Sequence, residues 1–527
     1  MLTTHFSNEQ LLPLILGGGI LVISILIFNK WTKLSLILLA LGSIFIGFFA
    51  AGLNNFLDIW DEQFHALVAK NMASEPLAPK LYAETILNYD YKNWTENSIW
   101  LHKQPLFLWQ MALSIKLLGA NEIAVRLPSI ILHAIIPLFV YRIGKISINR
   151  QVGYIAAILM SLSYFPLELI AGRYATDHND IAFLFYVTGS FWAWFEYQRT
   201  KSNKYLILVG LFSGCAVLVK WLMGLLVFVI WSIVELFISK QRFLKKENLF
   251  PIIKSGLISL VVFIPWQIYI HITYPKEAGH ELALNGQHFF EAVEGHTGDW
   301  NFHFSKGLKI LYGSGDLIPI FLLIGLIIFV LKSQKKAFGL FATIAVAFVY
   351  IFFSIAATKM NAFTVVVMPF IYLGLAALIF TTIQWIQNKT KKELIGTILT
   401  PLFTIIFGFT ALNMSKLENY HTTWKPNDNQ GWHEKTAWKK NIISLANQLD
   451  DPNYVIFNTS ITPFGNVSVM FYTDFLAYYK IPSKEEVSQV KNSGKKIAIF
   501  NTGNLPEYIL QDTTIIKIPY SLPVAID

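Results

Sequence analysis

About a dozen apolar runs, each long enough to cross the ~30 Å of hydrocarbon in a bilayer, dominate this 527-residue chain. They fall at 11–29, 34–53, 122–141, 152–171, 180–198, 205–219, 221–239, 252–273, 316–332, 338–356, 363–386 and 394–412. A segment in lipid must satisfy its own backbone, so the runs predict helices and a mainly α, polytopic membrane protein of about 12 transmembrane helices. The composition agrees, with 54% hydrophobic and only 14% charged residues. Net charge is +9, a value that can signal nucleic-acid binding. Here, however, the Lys and Arg sit in short connectors between the runs, as the positive-inside rule arranges them.

Those basic connectors set the orientation. Lys30 and Lys33, Arg142 to Arg150, Arg199 to Lys204, Lys240 to Lys246, Lys332 to Lys336 and Lys389 to Lys392 are expected in the cytoplasm of a plasma (inner) membrane protein. The loop 54–121, the turn 172–180, the loop 274–315, the turn 357–362 and the chain after 412 then share the outer face. The first run lacks the basic flank and small-residue cleavage site of a signal peptide and is expected to stay as a helix. The lone Cys215 permits no disulfide within the chain and says nothing of compartment. From about 413 the composition turns polar. A helical pattern over 433–449 followed by YVIF, KKIAIF and TIIKIP predicts a small soluble α/β domain over 413–527, beside a membrane domain over 1–412.

The outer loop 54–121 opens on Asp58, Asp61 and Glu62, which share a helix face at i, i+3 and i+4. Phe64, Leu67, Val68 and Met72, then Leu106, Trp109, Met111 and Leu113, alternate with polar residues as in helices lying in a bilayer interface. Adjacent carboxylates repel, which favours a usable base at Asp61 or Glu62; the plain alternative is an acidic helix start favoured by the dipole. Lys103, just before a proline-started helix at Pro105, is placed to grip an anion or, more plainly, to snorkel.

The stretches WDEQFHALVAKNM and HKQPLFLWQMALSIKLLGANEIAVRLPS resemble the first outer loop of the polytopic lipid-linked-sugar glycosyltransferases of GT-C type. They stand close to the aminoarabinose transferases of lipid A and further from the protein O-mannosyltransferases. The resemblance covers this loop and the membrane part that follows. It implies Asp61 as the base, with Glu62 beside it, and Lys103 as a phosphate ligand, although Gln104 interrupts the family's Lys-Pro motif. It also implies a carboxylate in AGRYATDHND, where Asp177 fits the spacing best and Asp180 about as well, with Arg173 alongside. Lys220, flanked by apolar residues in VLVKWL, is implied as a second phosphate contact, since a lysine in hydrocarbon must reach the interface or meet an anion.

In the loop 274–315, His288 and His296 are in register with the family, while Glu291, Ala292 and Glu294 stand where many relatives carry an arginine. Lys359 and Pro369 match the turn before a late span, which implies Lys359 as a further phosphate contact against the plainer reading of a snorkelling lysine, with Phe363 replacing the family's tyrosine. No cofactor is required. A divalent metal on His288, His296, Glu291 or His65 is left open, against the reading that these are hydrogen-bonded surface groups. The resemblance implies inverting transfer of a sugar from a polyprenyl-phosphate donor to a lipid, glycan or protein acceptor outside the cytoplasm. A transporter or flippase is the rival class, but the inverted repeats and broken helices of transporters are not visible in the sequence. A membrane-anchored sensor explains the tail and leaves the acidic loop unaccounted for.

Overall fold

The computed structural model describes residues 6–418, 429–449, 451–460 and 464–519. Each of the twelve apolar runs contains a helix. Among the described residues eight helices are long and apolar enough to cross a membrane, and nine if the bent pair Arg150–Ser161 and Tyr164–Ile170, which meet at 43°, is one span. The difference from the expected number of about 12 lies in three places. The runs 205–219 and 221–239 join through a single turn at Trp221–Leu225 into one 37-residue segment, and Ile318–Lys332 is a shorter helix. Asp177–Thr200 carries charges at both of its ends.

The chain divides into two compact units, one formed by Met1–Leu53 with Ser129–Glu418, the other by Asn54–Pro128 with Asn419–Asp527. The first is a helical bundle. Its exposed residues include Val261, Ile272 and Leu331, each about three-quarters exposed, as expected of side chains that face lipid. Inside, aromatic rings fill the space between helices: Trp194 stacks on Phe341 at 4.1 Å and Phe195 on Phe338 at 5.0 Å. Polar groups also bridge helices, with Ser24 Oγ 2.6 Å from Tyr154 Oη and Ser35 Oγ donating to the Ser24 carbonyl at 2.9 Å. At one crossing Gly144 and Gly153 let the backbones of Glu122–Ser147 and Arg150–Ser161 touch. A Cβ on Gly153 would fall on the Tyr141 carbonyl oxygen.

The second unit joins the first outer loop to the tail. Four parallel strands, β1 (Tyr454–Phe457), β2 (Leu476–Ala477), β3 (Lys496–Asn501) and β4 (Ile516–Pro519), lie in the order β2-β1-β3-β4. The register pairs Val455 with Ile497 and Ile499 with Lys517. Val455, Ile456, Phe457, Ile497, Ala498 and Ile499 are buried, as in a parallel sheet covered on both faces. The helix Asn429–Gln448 buries Trp438, Ile442 and Leu445 at helical spacing.

Two helices of this unit come from the loop, Asp61–Met72 and Pro105–Leu118. The first corrects an expectation, because its apolar residues Phe64, Leu67, Val68 and Met72 are covered by protein and leave no face for lipid. The second does expose Leu113, Leu117 and Leu118. Lys70, near the end of the first loop helix, donates to the carbonyls of Met470, Phe471 and Thr473 at 3.0, 3.1 and 2.5 Å. It thereby caps the C-terminus of Gly465–Tyr472, and burial lowers its pKa.

At the other end of the loop helix Arg126 is wholly buried. Its Nε and Nη2 donate to the two Glu62 oxygens at 2.7 and 3.0 Å, and its remaining donors reach the Asn54 and Phe56 carbonyls at 2.6 and 2.8 Å. The Asp58 amide donates to the same Glu62 carboxylate at 2.6 Å. This forked pair closes the loop on itself.

Two outcomes follow from this packing. Gly153→Val should destabilise the bundle by about 1–3 kcal/mol through overpacking, seen as a lower midpoint of thermal unfolding in detergent. Arg126→Met leaves the Glu62 charge buried and uncompensated, so it should cost about 3–5 kcal/mol in the same measurement. Wild-type melting of either variant would contradict the packing described.

Candidate functional site

Within the second unit, Asp61 is the first residue of its helix, and the residue before it has an unusual backbone. Trp60 has φ +74°, a conformation that costs a non-glycine residue on the order of 1–3 kcal/mol and that turns the chain sharply into the helix. Its indole packs 4.9 Å from Phe464 and 6.1 Å from Trp94. Asp61 is 9% exposed. Its Oδ1 lies 3.8 Å from Lys103 Nζ and 3.9 Å from His65 Nε2, one turn along the same helix. The fold therefore brings Asp61 and Lys103 together.

Glu62 is placed otherwise. The repulsion expected between adjacent carboxylates is offset by Arg126, and Arg126 with the Asp58 amide ties Glu62 to the loop framework. Asp58 is likewise held, by Asn54 at 2.6 Å and Lys435 at 3.1 Å. Sequence reasoning passed over Arg126, Lys435 and His65 as partners of the acidic group. The signal for Arg126 was present, an arginine among apolar residues at the start of a span.

The first unit gathers a separate set of charges. Asp177 is buried at the N-terminus of its helix and accepts from the His178 amide. Asp180, one turn on, pairs with Lys220 at 2.5 Å and accepts from the Thr176 hydroxyl. Of the two candidate carboxylates, Asp180 carries the contact with Lys220. Lys220 also lies 5.1 Å from the Phe363 ring centre, so the position where relatives carry a tyrosine offers this lysine a π-face. Arg173 donates to the Leu417 carbonyl at 2.9 and 3.1 Å and sits 3.6 Å from Glu168.

Lys359, expected as a phosphate contact, is turned inward. It is buried, and its Nζ donates to the carbonyls of Phe353, at 3.1 Å, Ser354, at 2.8 Å, and Ala356, which caps the helix Lys336–Ile355 and satisfies the ammonium internally. Burial lowers its pKa. His288 and His296 hold the loop to this turn. His288 Nδ1 is 3.1 Å from Thr358 Oγ1, its carbonyl accepts from the Thr358 amide at 3.1 Å, and the His296 carbonyl accepts from the Lys359 amide at 3.0 Å. His303, also in the loop, has its pKa pushed down to about 4 by burial and by the charge of Lys359. Among the described residues no group of three or more His, Cys, Asp or Glu is arranged to hold a metal ion.

A mostly apolar cavity of about 680 Å³ also lies in the first unit, lined by Tyr164, Tyr312, Phe321, Tyr372, Phe403 and Phe407 among others. Its shape and lining suit a hydrocarbon chain.

Comparison with known proteins bears on both units. Residues 102–269 match the family model described as dolichyl-phosphate-mannose-protein mannosyltransferase. An uncharacterized protein of Aquifex aeolicus (strain VF5) is 23% identical over 356 residues, 66% of this chain and 64% of that protein, so the match spans less than two thirds of the relative's length. Among solved structures, ArnT from Cupriavidus metallidurans bound to undecaprenyl phosphate superposes with a TM-score of 0.62 at 11% identity, covering 88% of each chain. The oligosaccharyltransferase AglB from Archaeoglobus fulgidus, in complex with an inhibitory peptide and a dolichol-phosphate, gives 0.54 at 12% identity, covering 86% of this chain and 65% of that one. The resemblance read from the outer loop is thus supported from two directions, and the chain is a membrane protein with the fold of the GT-C glycosyltransferases that carries a mannosyltransferase-family signature over residues 102–269.

Proposed function

We propose that the protein is an inverting glycosyltransferase that moves a sugar from a polyprenyl-phosphate donor to an acceptor hydroxyl or phosphate at the outer face of the plasma membrane. The observation that carries this reading is Asp61, a nearly buried carboxylate at a helix start with Lys103 3.8 Å away. In this reading Asp61 takes the acceptor proton as the acceptor oxygen bonds to the anomeric carbon. The bond from that carbon to the donor phosphate breaks on the opposite side, and the lipid phosphate departs with the electron pair. Lys103 acts on the charge that grows on the phosphate as the bond breaks. Direct attack inverts the anomeric centre. Glu62 and Arg126 position the Asp61 helix. Lys220 and Arg173 are the further candidate cations, with Asp180 in place of Asp177 as the carboxylate that holds Lys220.

The apolar cavity beside Tyr164 and Phe407 is a candidate berth for the polyprenyl chain. Support for a lipid-phosphate donor comes from ArnT and AglB, whose structures were solved with undecaprenyl phosphate and dolichol-phosphate. For the acceptor, a lipid A-type lipid or another envelope glycan is the first reading. The match over residues 102–269 to a family described as protein mannosyltransferases favours a protein acceptor as the second. The alternation of basic and Lys/Arg-poor connectors supports reading the tail beyond 412 on the outer side with the loop.

Asp61→Asn keeps the shape and removes the base, so transfer by the purified protein should fall at least ~10²-fold while its melting midpoint stays near wild type. Lys103→Ala should lower turnover along with donor use, in titrations with a polyprenyl-phosphate sugar. Near-normal transfer by Asp61→Asn would remove the proposed base.

Topology gives an independent check. In a Cys215→Ser background, single cysteines at Lys92 and Gly279 should react with a membrane-impermeant thiol reagent in cells with a permeabilised outer membrane, and one at Lys204 should not. All three positions are exposed. The reverse pattern would put Asp61 in the cytoplasm, where a nucleotide-sugar donor is the better hypothesis.

A further inference from the structure

The second unit contains a cleft of about 300 Å³ that the carboxylate site does not use. One wall comes from the loop segment 82–98 and the other from residues 464–480 of the tail, both within this unit. Its position follows from the sheet. Phe464 and Asn466 come just after β1, and Tyr478, Tyr479 and Lys480 come directly after β2, so the cleft opens at the carboxyl ends of parallel strands, where such sheets bind ligands.

The floor is rigid. Tyr82 stacks on Tyr478 with ring centres 5.2 Å apart and planes 17° apart, and Tyr478 stacks in turn on Phe457 at 5.3 Å. Both hydroxyls are engaged: buried Asn466 donates to Tyr82 Oη at 3.2 Å, and the Leu87 amide donates to Tyr478 Oη at 3.4 Å. The rim differs, since Tyr89 and Tyr479 remain 39% and 43% exposed. Between them stand Asn88, Asp90 and Glu96, short or planar polar groups able to grip neighbouring hydroxyls.

The charge in the cleft selects among ligands. Among the described residues Lys480 is the one basic residue of the lining, and its ammonium is turned onto Glu486. Asp90 and Glu96 are left to set the local sign, which opposes a phosphate or uronate. A ligand here must present apolar ring faces to tyrosines and many hydroxyls to amides and carboxylates, without negative charge. A neutral pyranose does so, and the cleft lies at the small end of ligand pockets, a size for a mono- or disaccharide.

We propose that this cleft is a saccharide-binding subsite for an uncharged sugar. Its assignment to the sugar part of the acceptor rests on the transferase reading above; saccharide binding itself does not.

The test uses the purified full chain in a detergent without a sugar headgroup, so that the detergent does not compete. Saturation-transfer NMR is recorded with mannotriose, maltotriose, chitotriose and, as an anionic control, trigalacturonate. At least one neutral trisaccharide should show saturation transfer and trigalacturonate none. The double substitution Tyr89→Ala with Tyr479→Ala, on the exposed rim, should weaken binding at least tenfold at an unchanged melting midpoint. Glu96→Ala gives a second variant should the double one melt early. Asp61→Asn should bind as wild type does. The proposal is overturned if no neutral trisaccharide binds, if trigalacturonate binds as well as they do, or if the rim and Glu96 variants bind unchanged. A wild-type protein that binds sugar but transfers none would retire the transferase reading and leave the cleft standing.

Discussion

The forked ion pair between Glu62 and Arg126 holds the rest of the loop in place. Two charges taken fully out of water cost several kcal/mol each unless every lone pair and proton is answered. Here the guanidinium spends its donors on both Glu62 oxygens and two backbone carbonyls, and Glu62 takes the Asp58 amide as well. The start of the loop helix is therefore fixed against Arg126 and the backbone of Asn54 and Phe56 in its own unit. Asp61, next in sequence and pointing elsewhere, inherits that position, and the left-handed turn at Trp60 sets its direction. One carboxylate of the pair is structural, which leaves its neighbour to the chemistry proposed for it.

The same division of labour recurs among the lysines. Lys70 and Lys359 both end as helix C-caps, their ammonium groups given to backbone carbonyls. Lys103 and Lys220 meet carboxylates instead, at 3.8 and 2.5 Å. Residue type and neighbourhood in sequence do not separate the two uses, because a lysine near a membrane edge looks alike in both. The difference lies in which carbonyls a helix end leaves unsatisfied, and that depends on where the helix stops.

Hydrophobic run length located a helix in every apolar segment, because lipid leaves the backbone no other way to be satisfied. The acidic loop and Lys103 were also legible, through order and spacing around Asp61. Three things were hidden. The partner of Glu62 lies 64 residues away, so the pair could be read only as two repelling neighbours. Asp177 fitted the spacing best with Asp180 close behind, and the approach of Lys220 to Asp180 from another helix could not be read from it. Phe64, Leu67 and Val68 gave the pattern of a lipid-facing stripe, since periodicity reports that a face is buried and not what buries it.

Lys70 ties residues about 400 positions apart, and that separation has a temporal meaning. At ~10 residues per second, synthesis takes on the order of 40 s to pass from this lysine to the carbonyls it caps. Throughout that interval the loop that carries Asp61 lacks the helix and sheet it packs against in its own compact unit. The Lys70 end of the loop helix thus matures late, after the intervening spans have been made, whereas the Arg126 end can close early. A chain stalled or truncated before Met470 would present membrane helices with a loop fastened at one end alone.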